Sequence, residues 1–142
     1  AKEFGATDTV LASGSTPCVD AKVALGRGAD AVFVTVGAAT AYTTAPNYLA
    51  LNGKVIMVGM PATGATSTYE AGNFAAASQS MVGSKMGDVV IQRDIPWMID
   101  LYKQGRLKLD ELVSGRWPLT QINEAIADTK TGSAKRNVII FK

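Results

Sequence analysis

Three apolar stretches of this sequence end in glycine, and those endings offer the first candidates for binding chemistry. The carboxyl ends of parallel strands are where open α/β sheets hold ligands, and a glycine there lets a flat ring or a sugar lie directly on the backbone. Backbone N–H and C=O groups at such an edge suit a planar amide group. We therefore predict one shared ligand edge. The competing interpretation is that each glycine only turns the chain. The three endings are Gly37, Gly59 and Gly83.

The other side chains leave few further kinds of chemistry. The chain has no histidine and one cysteine, Cys18, which excludes His-containing zinc sites and catalysis of the Ser-His-Asp and Cys-His types. We interpret Cys18 as a structural residue. The acidic residues lie near predicted helix ends or on polar faces, and none forms a carboxylate pair suited to acid–base catalysis. Local sequence alone favours Arg136 as a solvated loop charge over a phosphate clamp, although its guanidinium fork matches phosphate oxygens.

Length and composition bound the remaining classes of function. The 142 residues suffice for one domain, and the net charge of +2 includes no basic block that would indicate nucleic-acid binding. No apolar run approaches the roughly 20 residues of a membrane span. No signal peptide opens the chain, and we expect a cytoplasmic protein. Residues 1–6 have the pattern of the last turn of a helix with its capping glycine, Gly5, which leads us to expect a piece of a longer protein.

The glycine endings belong to an alternation of strands and helices. The stretches 30–36 and 53–61 are apolar at nearly every position, which predicts parallel strands covered on both faces. Their order with the intervening helices predicts a parallel sheet with right-handed crossovers. Pro46 lies within the second helix, which therefore either kinks there or begins nearby. The predicted strands are 7–10, 30–36, 53–61, 79–83, 114–118 and 137–141, and the predicted helices are 17–25, 40–51, 71–77, 94–104 and 120–130.

Three details of the helices follow from their end residues and their periodicity. We expect Thr16 to cap the first helix with its hydroxyl group, since proline follows at the first helical position. Thr120 is expected to cap the last helix in the same way. In that helix Ile122, Ala125 and Ile126 are expected to face inward.

One phosphate-binding motif is absent from the sequence. Dinucleotide-binding domains typically carry a Gly-x-Gly-x-x-Gly turn after their first strand, with an acidic ribose ligand about 20 residues later. The run Gly26-Arg27-Gly28 does not serve, because it ends a predicted helix instead of beginning one.

A series of short runs nevertheless gives almost the whole chain a family likeness. The runs are AKEFGATD at 1–8, GAD at 28–30, VTVG at 34–37, GKVIMVGMP at 53–61, GSKMG at 83–87, DIP at 94–96, LYKQGRLKLDEL at 101–112, INEA at 122–125 and RNVIIF at 136–141. In this order they resemble the second half of zinc-type alcohol dehydrogenases of the medium-chain dehydrogenase/reductase family. The resemblance implies an α/β fold, a partial Rossmann domain with a parallel sheet and flanking helices that lacks its first strands and glycine-rich turn. It implies that residues 1–142 form a single domain, the C-terminal part of a nicotinamide-cofactor-binding domain.

The resemblance also assigns roles to residues, with NAD or NADP as the cofactor. It implies that Arg136 binds a cofactor phosphate, which reverses the preference from local sequence. The remaining residues would line the nicotinamide-ribose side (Thr35, Val36, Gly37), lie against the nicotinamide (Val58, Gly59, Met60) and offer backbone groups to the carboxamide (Ser84, Met86). The strand from Gln79 to Gly83 would pair with its twin in a homodimer, since an exposed apolar edge favours such pairing.

Several family features are missing, and they separate the family's activity from this chain. The family transfers hydride between an alcohol or aldehyde and the cofactor while zinc polarises the substrate oxygen. Its zinc ligands are of cysteine and histidine types, and Cys18 matches none of them. Its proton relay and catalytic domain are also absent. We therefore expect no zinc and no catalysis from this chain alone, and neither nucleic acid nor membrane as a partner. The alternative is a non-catalytic half-Rossmann module for self-association or partner binding.

Overall fold

The computed structural model describes residues 1–141, and the chain divides into two compact units, Ala1–Val89 and Val90–Lys142. Each unit is built around its own parallel strand pairing. The expectation that residues 1–142 form a single domain stays a prediction.

The first unit is a three-stranded parallel sheet with helices between its strands. The sheet order is β1-β2-β3, and β1 and β3 are its two edges. Pro17 at the first helical position and Gly26 in the left-handed conformation (φ 71°) set the ends of α1. The elements are α1 (Pro17–Leu25), β1 (Ala29–Val34), α2 (Ala39–Thr44), β2 (Leu49–Met57), α3 (Ala71–Ala76) and β3 (Ser80–Gly83). The predicted parallel α/β architecture is confirmed.

The core of this unit lies on one face of the sheet. Val55 in β2 has no exposed surface, and its row across the sheet pairs it with Val32 and Met81. Tyr42 and Ala45 cover this face. Successive crossovers that run in one direction across a sheet bring their helices to the same face, because each crossover is right-handed.

The next row of the sheet points to the opposite face and corrects one expectation. Phe33, Ile56 and Val82 are paired across the three strands. Phe33 is 64% exposed and Val82 is 45% exposed. The prediction that both faces are covered is therefore wrong for this row. The apolar run predicted a strand, but it did not indicate which face of the sheet the helices of the crossovers would cover.

Several predicted boundaries also change. The helix predicted over 40–51 ends at Thr44, and a 3-10 turn over Ala45–Tyr48 leads into β2, because Pro46 has no N–H to continue an α-helix. Residues 7–10 form no strand; within residues 1–141 they have no strand partner. Thr16 precedes α1 as expected, but its hydroxyl donates to Asp20 Oδ1 (3.4 Å) and does not cap the helix.

The second unit contains a pair of parallel strands and two helices. Its elements are α4 (Ile91–Lys103), β4 (Val113–Pro118), α5 (Ile122–Lys130) and β5 (Arg136–Ile140). The amide of Asn137 joins β5 to α5, since its Nδ2 donates to the Ala125 carbonyl (3.1 Å) and to Asp128 Oδ2 (2.8 Å).

The helices of this unit differ from prediction in their caps and in their burial. Ala125 is buried in α5, but Ile122 and Ile126 are exposed, because a sheet of two strands is too narrow to cover a full helical stripe. A 3-10 turn over Leu119–Gln121 precedes α5, and Thr120 does not cap it. Over residues 1–141, none of the helices has the length and apolar character needed to cross a membrane.

Candidate functional site

The carboxyl ends of all three strands of the first unit meet at one edge of the sheet. Val34, Met57 and Gly83 are paired at the same level across β1, β2 and β3. The predicted site segments follow directly after these residues, and they are Thr35–Gly37, Val58–Met60 and Ser84–Met86. The structure thus brings eight of the nine predicted cofactor residues to one sheet edge.

The segments after β1 and β2 cross each other in backbone contact. The carbonyl oxygen of Val34 accepts hydrogen bonds from the N–H groups of both Val58 (3.1 Å) and Gly59 (2.8 Å). A Cβ atom on Gly59 would overlap the Val36 carbonyl, and one on Gly37 would lie 2.6 Å from the Met60 carbonyl oxygen. The two glycines are therefore required by the protein's own backbone, at distances that no side chain tolerates.

Gly83 differs from the other two strand-end glycines. Apart from its two chain neighbours, no atom of residues 1–141 lies within 4 Å of the position that its Cβ would occupy, and its φ is not in the left-handed region. Open space remains beside Gly83, whereas the space beside Gly37 and Gly59 is filled by backbone.

The buried side chain of Tyr42 stabilises the crossing of these two segments. The side chain is 5% exposed, and its hydroxyl donates a hydrogen bond to the carbonyl oxygen of Gly59. Sequence reasoning missed this residue. The available signal was a single large polar-tipped side chain among the small residues of α2, and a buried tyrosine hydroxyl usually has a partner.

The backbone groups left for a ligand are fewer than the glycines suggest. The N–H of Ser84 donates to the Met57 carbonyl (2.9 Å), so Ser84 offers its carbonyl oxygen and hydroxyl only. Met86, Gly87 and Asp88 follow with φ of 54°, 64° and 53°, three successive left-handed residues. Such a turn is unfavourable for the two residues that carry side chains, and backbone strain of this kind is concentrated at functional sites.

The strand ends offer an apolar contact surface with a few polar groups. Met60 is 86% exposed, and Met86, Val36 and Val58 are also exposed. Thr35 adds an exposed hydroxyl group. This set suits one flat face of an aromatic ring, with hydrogen bonds to its polar substituents, which is the usual composition of a cofactor site.

Arg136 belongs to the second unit, where it begins β5. Its main chain is held by Ser114, whose Oγ accepts from the Arg136 N–H (3.2 Å) and donates to the Arg136 carbonyl (3.3 Å). The guanidinium group is exposed and has no hydrogen bond or ion pair with another residue of 1–141. It is available for an anion such as phosphate.

In the second unit, hydrogen bonds at the surface shift the pKa values of several side chains. The pKa of Asp94 is lowered, first by its hydrogen bond from Arg93 and then by the N–H of Val90 (2.8 Å). The pKa of Tyr102 is raised, because its hydroxyl donates to Asp110 (2.6 Å). These hydrogen bonds hold the start of α4 at Val90 and connect α4 to the turn at Asp110.

The residues present do not fit a zinc ion. Within residues 1–141 no three side chains of the histidine, cysteine, aspartate or glutamate types come together. The chain has no histidine and a single cysteine, so the donor set of a catalytic zinc site is not available from it.

Comparison with known proteins gives a consistent set of relatives. The family described as zinc-binding dehydrogenase matches residues 1–104. NDMA-dependent alcohol dehydrogenase of Amycolatopsis methanolica is 30% identical over 143 aligned residues, which cover 99% of this chain and 38% of that protein. A geraniol dehydrogenase of Castellaniella defragrans is 32% identical over 120 aligned residues, covering 84% of this chain and 32% of that protein. The chain thus spans well under half the length of these relatives.

Solved structures share the fold of this chain. An alcohol dehydrogenase zinc-binding domain protein from Burkholderia ambifaria superposes with a TM-score of 0.91 at 26% identity, over 99% of this chain and 38% of that chain. Benzyl alcohol dehydrogenase from Acinetobacter calcoaceticus has the same fold, with a TM-score of 0.91 at 23% identity over 99% of this chain and 39% of that chain. The partial Rossmann fold is confirmed.

The backbone crossing predicts different effects on stability for two alanine substitutions. Gly59→Ala is expected to lower the free energy of unfolding by about 2–3 kcal/mol, because its Cβ overlaps the Val36 carbonyl. Gly83→Ala, the matched control at the end of the next strand, is expected to stay within about 0.5 kcal/mol of the parent. Urea unfolding measures both. Equal effects of the two substitutions would contradict the crossing.

Proposed function

The chain belongs to the zinc-binding dehydrogenase family, and from that premise we propose that it is the NAD(P)-binding part of an alcohol dehydrogenase. In this proposal residues 1–142 are one domain, the C-terminal part of a Rossmann domain that binds a nicotinamide cofactor. The observation that carries the proposal is the meeting of three strand ends at one sheet edge, in the region matched by the family. The cytoplasmic location of the protein stays a prediction.

The proposed roles follow the geometry of that edge. The exposed side chains of Val58 and Met60 form the surface for the nicotinamide ring, while Gly59 holds the crossing that positions them. Thr35, Val36 and Gly37 lie on the ribose side. The carbonyl of Ser84 and the backbone of the left-handed turn at Met86 face the carboxamide. When bound, the cofactor supplies a hydride acceptor or donor, and these residues orient its ring and keep water from one side of it.

Arg136 is the proposed phosphate ligand. An exposed guanidinium without a partner among residues 1–141 is compatible with that role, and its main chain is fixed by Ser114. The choice between NAD and NADP lies with residues of a second strand and its acidic ribose ligand, which the matched region does not include.

Charge removal at Arg136 tests the cofactor proposal by calorimetry. Titration of the chain with NADH is expected to show saturable binding, and Arg136→Gln is expected to raise Kd about tenfold, because one charge-assisted contact to phosphate is lost. The matched control is Arg116→Gln, which removes another exposed arginine of the second unit, from β4. No measurable binding of NADH, or equal losses from the two substitutions, would contradict the proposal.

We further propose that this chain alone is not an active dehydrogenase. The support is its donor set, since one cysteine and no histidine do not make a catalytic zinc site. The expected result is no absorbance change from NADH formation when the purified chain is mixed with benzyl alcohol or geraniol, NAD⁺ and Zn²⁺. Turnover that depends on zinc and NAD⁺ would overturn this expectation while leaving cofactor binding intact.

A second candidate function is self-association as a half-Rossmann module. The supporting observation is the outer edge of β3, which has no strand partner among residues 1–141; this strand of four residues exposes Val82. Pairing of this edge with its twin would form a homodimer. If light scattering shows a monomer at the concentrations where NADH binding is measured, the self-association function is contradicted.

A further inference from the structure

We propose that Ser114 is a positioning residue for Arg136, the residue that the proposed function assigns to a cofactor phosphate. The inference rests on that proposed function and deepens it, because it names the side chain that fixes the backbone from which the guanidinium group extends. Both residues belong to the second unit, where Ser114 lies in β4 and Arg136 begins β5.

The pairing of β4 with β5 is interrupted at Ser114. Val113 pairs with Arg136, and Gly115 pairs with the next residue of β5. Ser114 is therefore an extra residue of β4 that has no partner in β5. A bulge of this kind bends its strand and re-aims side chains, and bulges are frequent beside functional sites. The interruption lies directly beside the proposed phosphate ligand.

The hydroxyl group of Ser114 bonds to the main chain at the start of β5. Its Oγ accepts hydrogen bonds from the N–H groups of Lys135 (3.0 Å) and Arg136 (3.2 Å), and it donates to the Arg136 carbonyl (3.3 Å). A hydroxyl group can accept two hydrogen bonds and donate one, so this oxygen uses its full bonding capacity. Both polar main-chain groups of Arg136 are thus bonded to one side chain.

The residue after Arg136 fixes the face of the strand from which the arginine extends. Asn137 directs its side chain at α5, where its Nδ2 donates to Asp128 Oδ2 (2.8 Å) and to Thr129 Oγ1 (3.1 Å). Successive side chains of a strand point to opposite faces. The Arg136 side chain therefore extends from the face of β5 that points away from α5, and the residue is exposed.

A fixed main chain matters at this position because the arginine side chain itself is not held. Its guanidinium group has no hydrogen bond or ion pair with another residue of 1–141. A long side chain loses rotamer freedom when it binds a ligand, and a loose backbone would add to that loss. Backbone that is ordered before binding reduces the loss, which is the advantage of preorganisation. Removal of the Ser114 hydroxyl is therefore expected to weaken phosphate binding through Arg136.

A double-mutant cycle in NADH titrations tests the coupling of these two residues. Ser114→Ala is expected to raise Kd about fivefold, because the hydrogen bonds that hold Arg136 are lost. In an Arg136→Gln background the same substitution is expected to change Kd less than about twofold, since the group that it positions is gone. Ser133→Ala is the matched control, because that hydroxyl lies in the loop before β5 and bonds to Thr131 (2.7 Å).

An isosteric pair of substitutions separates the hydroxyl group from the shape of the side chain. Ser114→Thr keeps a hydroxyl group and is expected to stay within about twofold of the parent Kd, whereas Ser114→Val is expected to weaken binding as Ser114→Ala does. Threonine and valine both favour strands, and urea midpoints check that each variant folds. Amide hydrogen exchange at Arg136 is expected to be faster in Ser114→Val than in Ser114→Thr.

The outcomes separate this inference from the cofactor proposal. Fivefold weakening that disappears without Arg136 supports the positioning role. NADH binding that Ser114→Val leaves unchanged, or that Ser114→Ala weakens by the same factor with and without Arg136, overturns the role and leaves the cofactor proposal intact. If the parent does not bind NADH, the cofactor proposal is contradicted, and the cycle is run with inorganic pyrophosphate, followed by the NMR signal of the Arg136 Nε–H group. A parent that binds neither ligand overturns both.

Discussion

The hydrogen bonds accepted by the Val34 carbonyl are the constraint on which the edge of the proposed cofactor site depends. One oxygen receives the N–H groups of Val58 and Gly59, which draws the chain after β2 across the chain after β1. That crossing leaves no room for a side chain at position 37 or 59. The hydroxyl of the buried Tyr42 then takes the Gly59 carbonyl, so that both polar groups of Gly59 are bonded within the protein. The backbone at Gly59 is thus fixed by hydrogen bonds on both of its polar groups. This also fixes the backbone from which the exposed side chain of Met60 extends.

This arrangement changes what the strand-end glycines mean for ligand binding. A glycine after a buried strand suggests a bare backbone on which a ring can lie, yet here the space beside Gly37 and Gly59 is filled by main chain of the same protein. The surface offered to a ligand consists instead of the neighbouring side chains and of the open space next to Gly83. In the proposed cofactor site the glycines act indirectly, because they allow two loops to approach closely and so position the exposed Val58 and Met60. The structure thus shows how Gly37 and Gly59 let the chain turn and cross, and the ligand edge beside them stays a prediction.

What could be predicted from this sequence depends on how far apart along the chain the interacting residues lie. The strands around Val34 and Val55, the helix α1 and the parallel order could be predicted, because apolar runs, a proline and a capping glycine act locally. The early end of α2 could not, since the choice left open by Pro46 depends on how Ala45 packs into the core. The bond from Tyr42 to Gly59 spans 17 residues and leaves no mark in the local pattern. Gly87 was the one local sign of the left-handed turn, because Met86 and Asp88 on either side of it carry side chains that rarely adopt this conformation.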